Sequence, residues 1–229
     1  MVALLVLLTI IIFLTVDYFA QQAAARRAVP AVAAPSPLAV RVPADLGSVP
    51  NGLFLGPGHA WVGLDPSGEV RVGADRLPLT LLGGLDAVTA APAGTEVRRG
   101  QSIARLTRGA RSLELASPVD GVVVATNPDA ESDPGVLAAD PFGCGWIVTV
   151  RPRALGGALK GRFLAEEGAA WMRVELGRLR DFLVGLTGRA ALAAPTLPDG
   201  GLPLAGVAEI LDDGEWRELV ARFFTVDAA

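Results

Sequence analysis

Between residues 51 and 152 short β-prone runs alternate with turn residues, and this alternation constrains the fold more than any other feature of the chain. Residues 60–64, 69–72, 86–90, 102–106, 112–115, 121–126 and 146–150 read as strands. Asp65-Pro66-Ser67-Gly68 separates the first two, with proline at the second turn position and glycine at the fourth. Arg99-Gly100 and Val119-Asp120-Gly121 mark further turns. Seven short strands at this spacing predict a β-sandwich or flattened barrel. Residues 75–82 read as a short helix, with Pro78 limiting where it can start. Composition agrees, because 27 glycines and 17 prolines in 229 residues are too many for an all-helical protein.

Residues 2–16, VALLVLLTIIIFLTV, form an unbroken uncharged run. Extended to Ala20 it reaches the roughly 20 residues that a helix needs to cross the hydrocarbon core. Tyr18 and Phe19 suit the interfacial belt, and Asp17 is near enough to the end to reach headgroups. No Lys or Arg precedes the run, so the basic start of a cleaved signal peptide is missing. The small residues around Ala20 and Ala23 leave cleavage open, but the segment is read as a retained transmembrane anchor. Arg26 and Arg27 follow it, which places the carboxy-terminal side in the cytoplasm and the chain on the inner (cytoplasmic) membrane as a single-pass protein. Residues 21–50 are rich in Ala and Pro without a sustained period and read as a linker.

Several function classes are excluded on simple grounds. The formal charge is −4 and there is no long basic run, so nucleic acid is not an expected partner. The one cysteine, Cys144, cannot form an intrachain disulfide, and with the single histidine His59 it does not make a zinc site. Asp129, Glu131, Asp133 and Asp140 are interspersed with Pro and Gly and lack the oxygen spacing of a calcium loop, so they read as a solvated loop. No P-loop, dinucleotide or nucleophile-elbow motif is present. His59 reads as a packing or backbone-bonding residue, Trp61 and Trp146 as packing residues, and Cys144 as an inert thiol unless a base activates it.

The ordered motifs of the β region carry a resemblance. His59-Ala60-Trp61-Val62 is similar to an H-x-W-V opening strand, and Val72-Gly73 followed by a short helix and Gly83 is similar to a helical crossover. Val97-Arg98-Arg99-Gly100, Ser117-Pro118-Val119-Asp120-Gly121-Val122-Val123, Asn127-Pro128 and Asp140-Pro141-Phe142-Gly143-Cys144-Gly145-Trp146 complete the series. Together they resemble the glycine-cleavage H-protein family over roughly a hundred residues. The resemblance implies a barrel-sandwich hybrid of the lipoyl-domain kind. It also implies a lysine at a hairpin tip, eight residues before the proline of the Ser-Pro pair, to which lipoic acid is joined. Counting back from Pro118 gives Ala110, flanked by Arg108 and Arg111. A guanidinium stays protonated and is a poor nucleophile, so neither arginine substitutes for a primary amine. The chain's one lysine, Lys160, falls outside the β region.

Beyond residue 152 the chain continues past the point where the resemblance ends. Residues 159–186 read as a helix with an apolar stripe of Trp171, Val174, Leu179, Phe182, Leu183 and Leu186. Asp212-Asp213-Gly214-Glu215 reads as the capped start of a second helix with Trp216, Leu219, Val220, Phe223 and Phe224 on one face and a Glu218–Arg222 pair on the other. The two stripes are expected to pack on each other or on the sandwich.

The expected organisation is therefore an anchor (1–20), a linker (21–50), a mainly β H-protein-like domain (51–152) and a helical extension (153–229). The expected function is that of a non-lipoylated, membrane-anchored interaction or scaffold subunit on the cytoplasmic face, not an enzyme, with no cofactor and no metal. Its partners would be the membrane and another protein, engaged through a candidate surface of His59, Trp61, Arg108, Arg111 and Asn127. Two alternatives stand beside it: a carrier with an atypical group on the 107–112 hairpin, attached through Thr107, Ser112 or an arginine, and an enzyme using His59 and Cys144.

Overall fold

The computed structural model describes residues 40–159, 161–187 and 202–226, all within a unit that runs from Leu38 onward. The anchor, most of the linker and Lys160 lie outside the described residues. Among the described residues no helix is long and apolar enough to cross a membrane.

The β domain is built on an antiparallel sheet. Its strands are β2 (Leu53–Leu55), β3 (Ala60–Leu64), β4 (Val70–Ala74), β6 (Glu96–Val97), β9 (Gly121–Thr126), β10 (Trp146–Pro152) and β11 (Phe163–Leu164), in the order β11-β2-β3-β4-β10-β9-β6. A second sheet holds β5 (Ala87–Ala90), β7 (Ser102–Arg108) and β8 (Arg111–Ala116) in the order β5-β7-β8. Alternation drives the burial. Val70 and Val72 point inward while Arg71 between them is exposed, and Leu113 and Leu115 are buried on either side of exposed Glu114. Val62, Val72, Val123 and Val148 of the first sheet share one core with Ile103, Leu106, Leu113 and Leu115 of the second.

All seven sequence-derived strands are present. The strands that periodicity missed have two or three residues each, too short for a period to register. Helix α1 (Arg76–Leu82) starts on an Asp75 cap, whose side chain accepts a bond from the Leu77 amide. Pro78 is tolerated because the first-turn amides of a helix have no intrahelical partner to lose.

Four expectations need correction. The stretch around Asp129 to Asp140 is not a plain loop. It forms α2 (Pro128–Ser132) and α3 (Gly135–Ala139), each pinned by one fully buried residue, Ala130 and Leu137. The acidic side chains of Asp129, Glu131, Asp133 and Asp140 are nevertheless exposed. The linker assignment runs too far, because β1 (Val40–Arg41) pairs in parallel with β12 (Leu202–Pro203) and Leu46 is buried. The first carboxy-terminal helix does not begin at 159. A separate α4 (Leu155–Leu159) is followed by Gly161 at φ +72° and strand β11, and only then by α5 (Ala165–Thr187). Its buried stripe runs through Met172, Leu176, Leu179, Leu183 and Leu186, in steps of four and three, so Val174 falls on the outer face at 65% exposure.

The extension closes with α6 (Val207–Ile210) and α7 (Asp213–Phe223). The α7 start is the capping box expected from sequence: Asp212 Oδ1 accepts from the Gly214 and Glu215 amides, and Glu215 accepts from the Asp212 amide. The two long helices pack on each other, with Phe182 and Phe223 meeting edge-on at 5.8 Å between centroids. Arg222, expected to pair with Glu218, stands over the Phe182 ring at 5.6 Å.

Candidate functional site

Strands β7 and β8 form a hairpin in register Arg108↔Arg111, leaving Gly109 and Ala110 as its two-residue turn. Gly109 has φ +52°, which glycine adopts without steric cost at the first position of such a turn. Both turn residues are exposed, so Ala110 projects a methyl group from the apex. Asp86, just before β5, braces the turn from one side. One carboxylate oxygen accepts the Gly109 amide at 2.7 Å and the other accepts from Arg108 at 3.0 Å. Arg108 also lies 3.7 Å from Glu209 of α6. Arg111 braces the other side, donating to the carbonyls of Ala208 (2.9 Å) and Leu211 (2.5 Å) and to the Asp213 carboxylate (2.7 Å). Both arginines flanking the apex are therefore engaged within the chain. Thr107 pairs with Ser112 in the ladder, and the Ser112 side of the hairpin borders a shallow depression with Trp216, Arg217 and Val220.

The other residues of the candidate surface are not on the surface. His59 is fully buried, in an αL backbone conformation at φ +59°. Its Nδ1 lies 2.8 Å from Asp75 Oδ2, and its ring meets Phe224 and Trp171 at centroid distances of 5.0 and 5.4 Å. A carboxylate acceptor places a ring proton on Nδ1, and Nε2 has no hydrogen-bond partner. Sequence reasoning anticipated packing or backbone bonding here but missed Asp75. The signal was available, since an Asp immediately before an apolar helical run is a helix-cap pattern. Next to His59, the carbonyl of Ala60 accepts from Arg162, whose guanidinium burial, assisted by neighbouring Arg99, lowers the pKa to about 10.

Trp61 is 1% exposed and donates its indole N–H to the carbonyls of Ala74 (3.1 Å) and Pro141 (2.9 Å). Asn127 is 3% exposed; its amide donates to the carbonyls of Cys144 (2.8 Å) and Trp146 (2.6 Å), while its oxygen caps α2 at the Asp129 amide. Although buried, each side chain has its polar hydrogens paired with main-chain carbonyls. The Asn127→Ala variant is expected to lose about 2–3 kcal/mol through the vanished cap and the deprived carbonyls. Urea denaturation measures this, and a loss under about 0.5 kcal/mol would contradict the bonding scheme.

Cys144 is a free, exposed thiol in the turn after Asp140. Asp140 accepts the Cys144 and Gly143 amides, and the Cys144 amide above all holds its carboxyl below the ordinary range. His59 faces Asp75 and two aromatic rings and is closed to solvent, so the arrangement offers Cys144 no base from that side. Among the described residues no group of His, Cys, Asp and Glu could hold a metal ion.

The model of the glycine cleavage H-protein matches residues 55–175, more than half of the chain. The chain belongs to the glycine cleavage H-protein family. The family region takes in His59, Trp61, the β7–β8 hairpin, Asn127 and the first half of α5, and ends before α6 and α7. Among curated relatives, glycine cleavage system H protein 3 of Aquifex aeolicus is 32% identical over 94 residues, 41% of this chain and 58% of that protein. The glycine cleavage system H protein of Mycobacterium leprae is 29% identical over 111 residues, 48% of this chain and 84% of that protein. The crystal structure of the H protein from Mycobacterium marinum shares 29% identity, covering 54% of this chain and 98% of its own at a TM-score of 0.48.

Proposed function

We propose that this chain is a non-lipoylated, membrane-anchored member of the H-protein family that serves as an interaction or scaffold subunit on the cytoplasmic face, and not as a carrier or an enzyme. The observation that carries the reading is the apex itself. A lipoyl amide forms when a primary amine attacks an activated acyl group, and the turn holds only Gly109 and Ala110. The flanking Arg108 and Arg111 are poor nucleophiles, and their guanidinium groups are bonded to Asp86, Asp213 and main-chain carbonyls. The anchor rests on the uncharged run of residues 2–16 and the orientation on Arg26 and Arg27. A non-enzymatic role is supported by the burial of His59 and by its engagement with Asp75 instead of Cys144.

Intact-mass measurement on protein purified from its native host, with peptide mapping, tests the reading. The hairpin peptide spanning 106–116 is expected at its unmodified mass, and the protein is expected in the membrane fraction after salt washing. An added mass on Thr107, Arg108, Arg111 or Ser112 would replace the scaffold by a carrier with an atypical group. Recovery in the soluble fraction would remove the anchor.

A further inference from the structure

We propose that Arg162 and Arg99 form a binding site for a phosphate group, entered beside Gly161 in the turn between α4 and β11. The site stands on its own geometry and does not depend on the function proposed above. Arg162 is 9% exposed. Its Nη1 donates to the carbonyl of Ala60 at 2.8 Å, while its buried Nε has no hydrogen-bond partner. Nη1 therefore holds the protein, and no bond among the described residues uses the Nε–Nη2 edge, the fork that receives two oxygens side-on. A buried donor without an acceptor is unfavourable until a ligand supplies one. The charge lacks a partner as well. At a pKa of about 10 the guanidinium is still protonated at neutral pH, and the neighbouring charge that acts on it is a second cation, Arg99. Among the described residues no carboxylate pairs with Arg162, and a buried cation is strongly unfavourable without an anion beside it.

Two glycines leave the room. Gly161 is exposed at φ +72°, and the described atom nearest to where its Cβ would stand is Arg99 Nη2, at 3.7 Å. Gly56 seats the other side of Arg162, since a Cβ there would lie 3.4 Å from both Cγ and Nη1. Arg99 is half-buried, so exposed Gly161 and this second guanidinium give an anion a short path from solvent to the buried one. The Arg99 amide donates to Asp120 Oδ1 at 2.8 Å, which fixes the main chain that carries the Arg99 side chain. Two guanidinium groups match the nearly double charge of a phosphate monoester better than the single charge of a carboxylate, and a planar donor pair suits two of its oxygens. A soluble phosphate and the phosphate of a lipid headgroup both offer this chemistry.

Calorimetric titration of the full chain with inorganic phosphate, at constant ionic strength, tests the site. Arg162→Met keeps the apolar stem without the charge and is expected to weaken binding at least about tenfold. Arg99→Gln is expected to weaken it about threefold to tenfold. Arg162→Lys keeps a point charge without the fork and is expected to fall between the wild type and Arg162→Met. No binding by the wild type up to about 20 mM phosphate, by calorimetry or phosphorus NMR, overturns the site. Equal affinity in the wild type and Arg162→Met overturns it too. If Arg162→Met does not fold, Arg99→Gln carries the test, and unchanged affinity in that variant overturns the site. Acetate bound as tightly as phosphate overturns the assignment of the ligand. Glycerol phosphate and dihexanoyl phosphatidylglycerol separate the sources: tighter binding of the first identifies a soluble phosphate, and tighter binding of the second a lipid headgroup.

Discussion

Trp61→Ala is expected to lower the unfolding free energy by about 3–5 kcal/mol, the largest effect of any single substitution considered for this chain. The indole is buried to 1% and lies against Gly73 and Gly63. A Cβ at Gly73 would come within 2.7 Å of it, so the glycine and the tryptophan are one packing decision. Its N–H joins the carbonyl of Ala74, at the end of β4, to that of Pro141, in the turn before β10. Alanine would leave a large void and two carbonyls without that donor. Trp61→Phe keeps most of the volume and is expected to cost about 1–3 kcal/mol, from the lost hydrogen bonds and a smaller void beside Gly73. Equilibrium denaturation monitored by circular dichroism measures both; a Trp61→Ala loss below about 1 kcal/mol would mean that the indole is not the core residue described.

Asp75→Ala is expected to cost about 2–4 kcal/mol. Two losses combine there. The cap on α1 disappears, because Asp75 Oδ1 accepts the Leu77 amide at 2.8 Å, and His59 Nδ1 is left without an acceptor inside an aromatic pocket. Asp75 is 1% exposed, so water does not replace either bond at once. Asp75→Asn retains an oxygen for the cap and is expected to lose roughly half as much. Because His59 touches Trp171 of α5 and Phe224 after α7, the alanine variant should also increase hydrogen exchange in the carboxy-terminal helices. Protection there equal to wild type would show that His59 does not couple the extension to the β domain.

The strand set was legible because its determinants are local. Asp65-Pro66-Ser67-Gly68 and the alternation of Val70, Arg71 and Val72 specify turn and strand without reference to anything distant. The hairpin apex was legible through the family resemblance, since the offset from Pro118 that it implies falls on Ala110, where the two-residue turn stands. The α7 cap followed from four consecutive residues. What failed was the assignment of surfaces. Val174 was set on the buried stripe because a three-residue step from Trp171 is as helical as the four-residue step from Met172 to Leu176, and only the neighbours choose between them. His59 and Trp61 read as packing residues and also stand, with Asn127, in the candidate surface; burial of all three leaves the packing reading and removes the surface one.

Sequence by itself determined the β class of the domain, since period and turn chemistry are properties of neighbouring positions, and the family resemblance read from it located the hairpin whose apex carries no amine. Tertiary structure alone decided what the apex is fastened to and which polar groups are interior. The partner of His59 is 16 positions away, that of the Trp61 indole 80, and that of Arg111 as many as 102. Contacts at such separations depend on how the sheets and helices close on one another, and the free energy that selects them is that of the whole core.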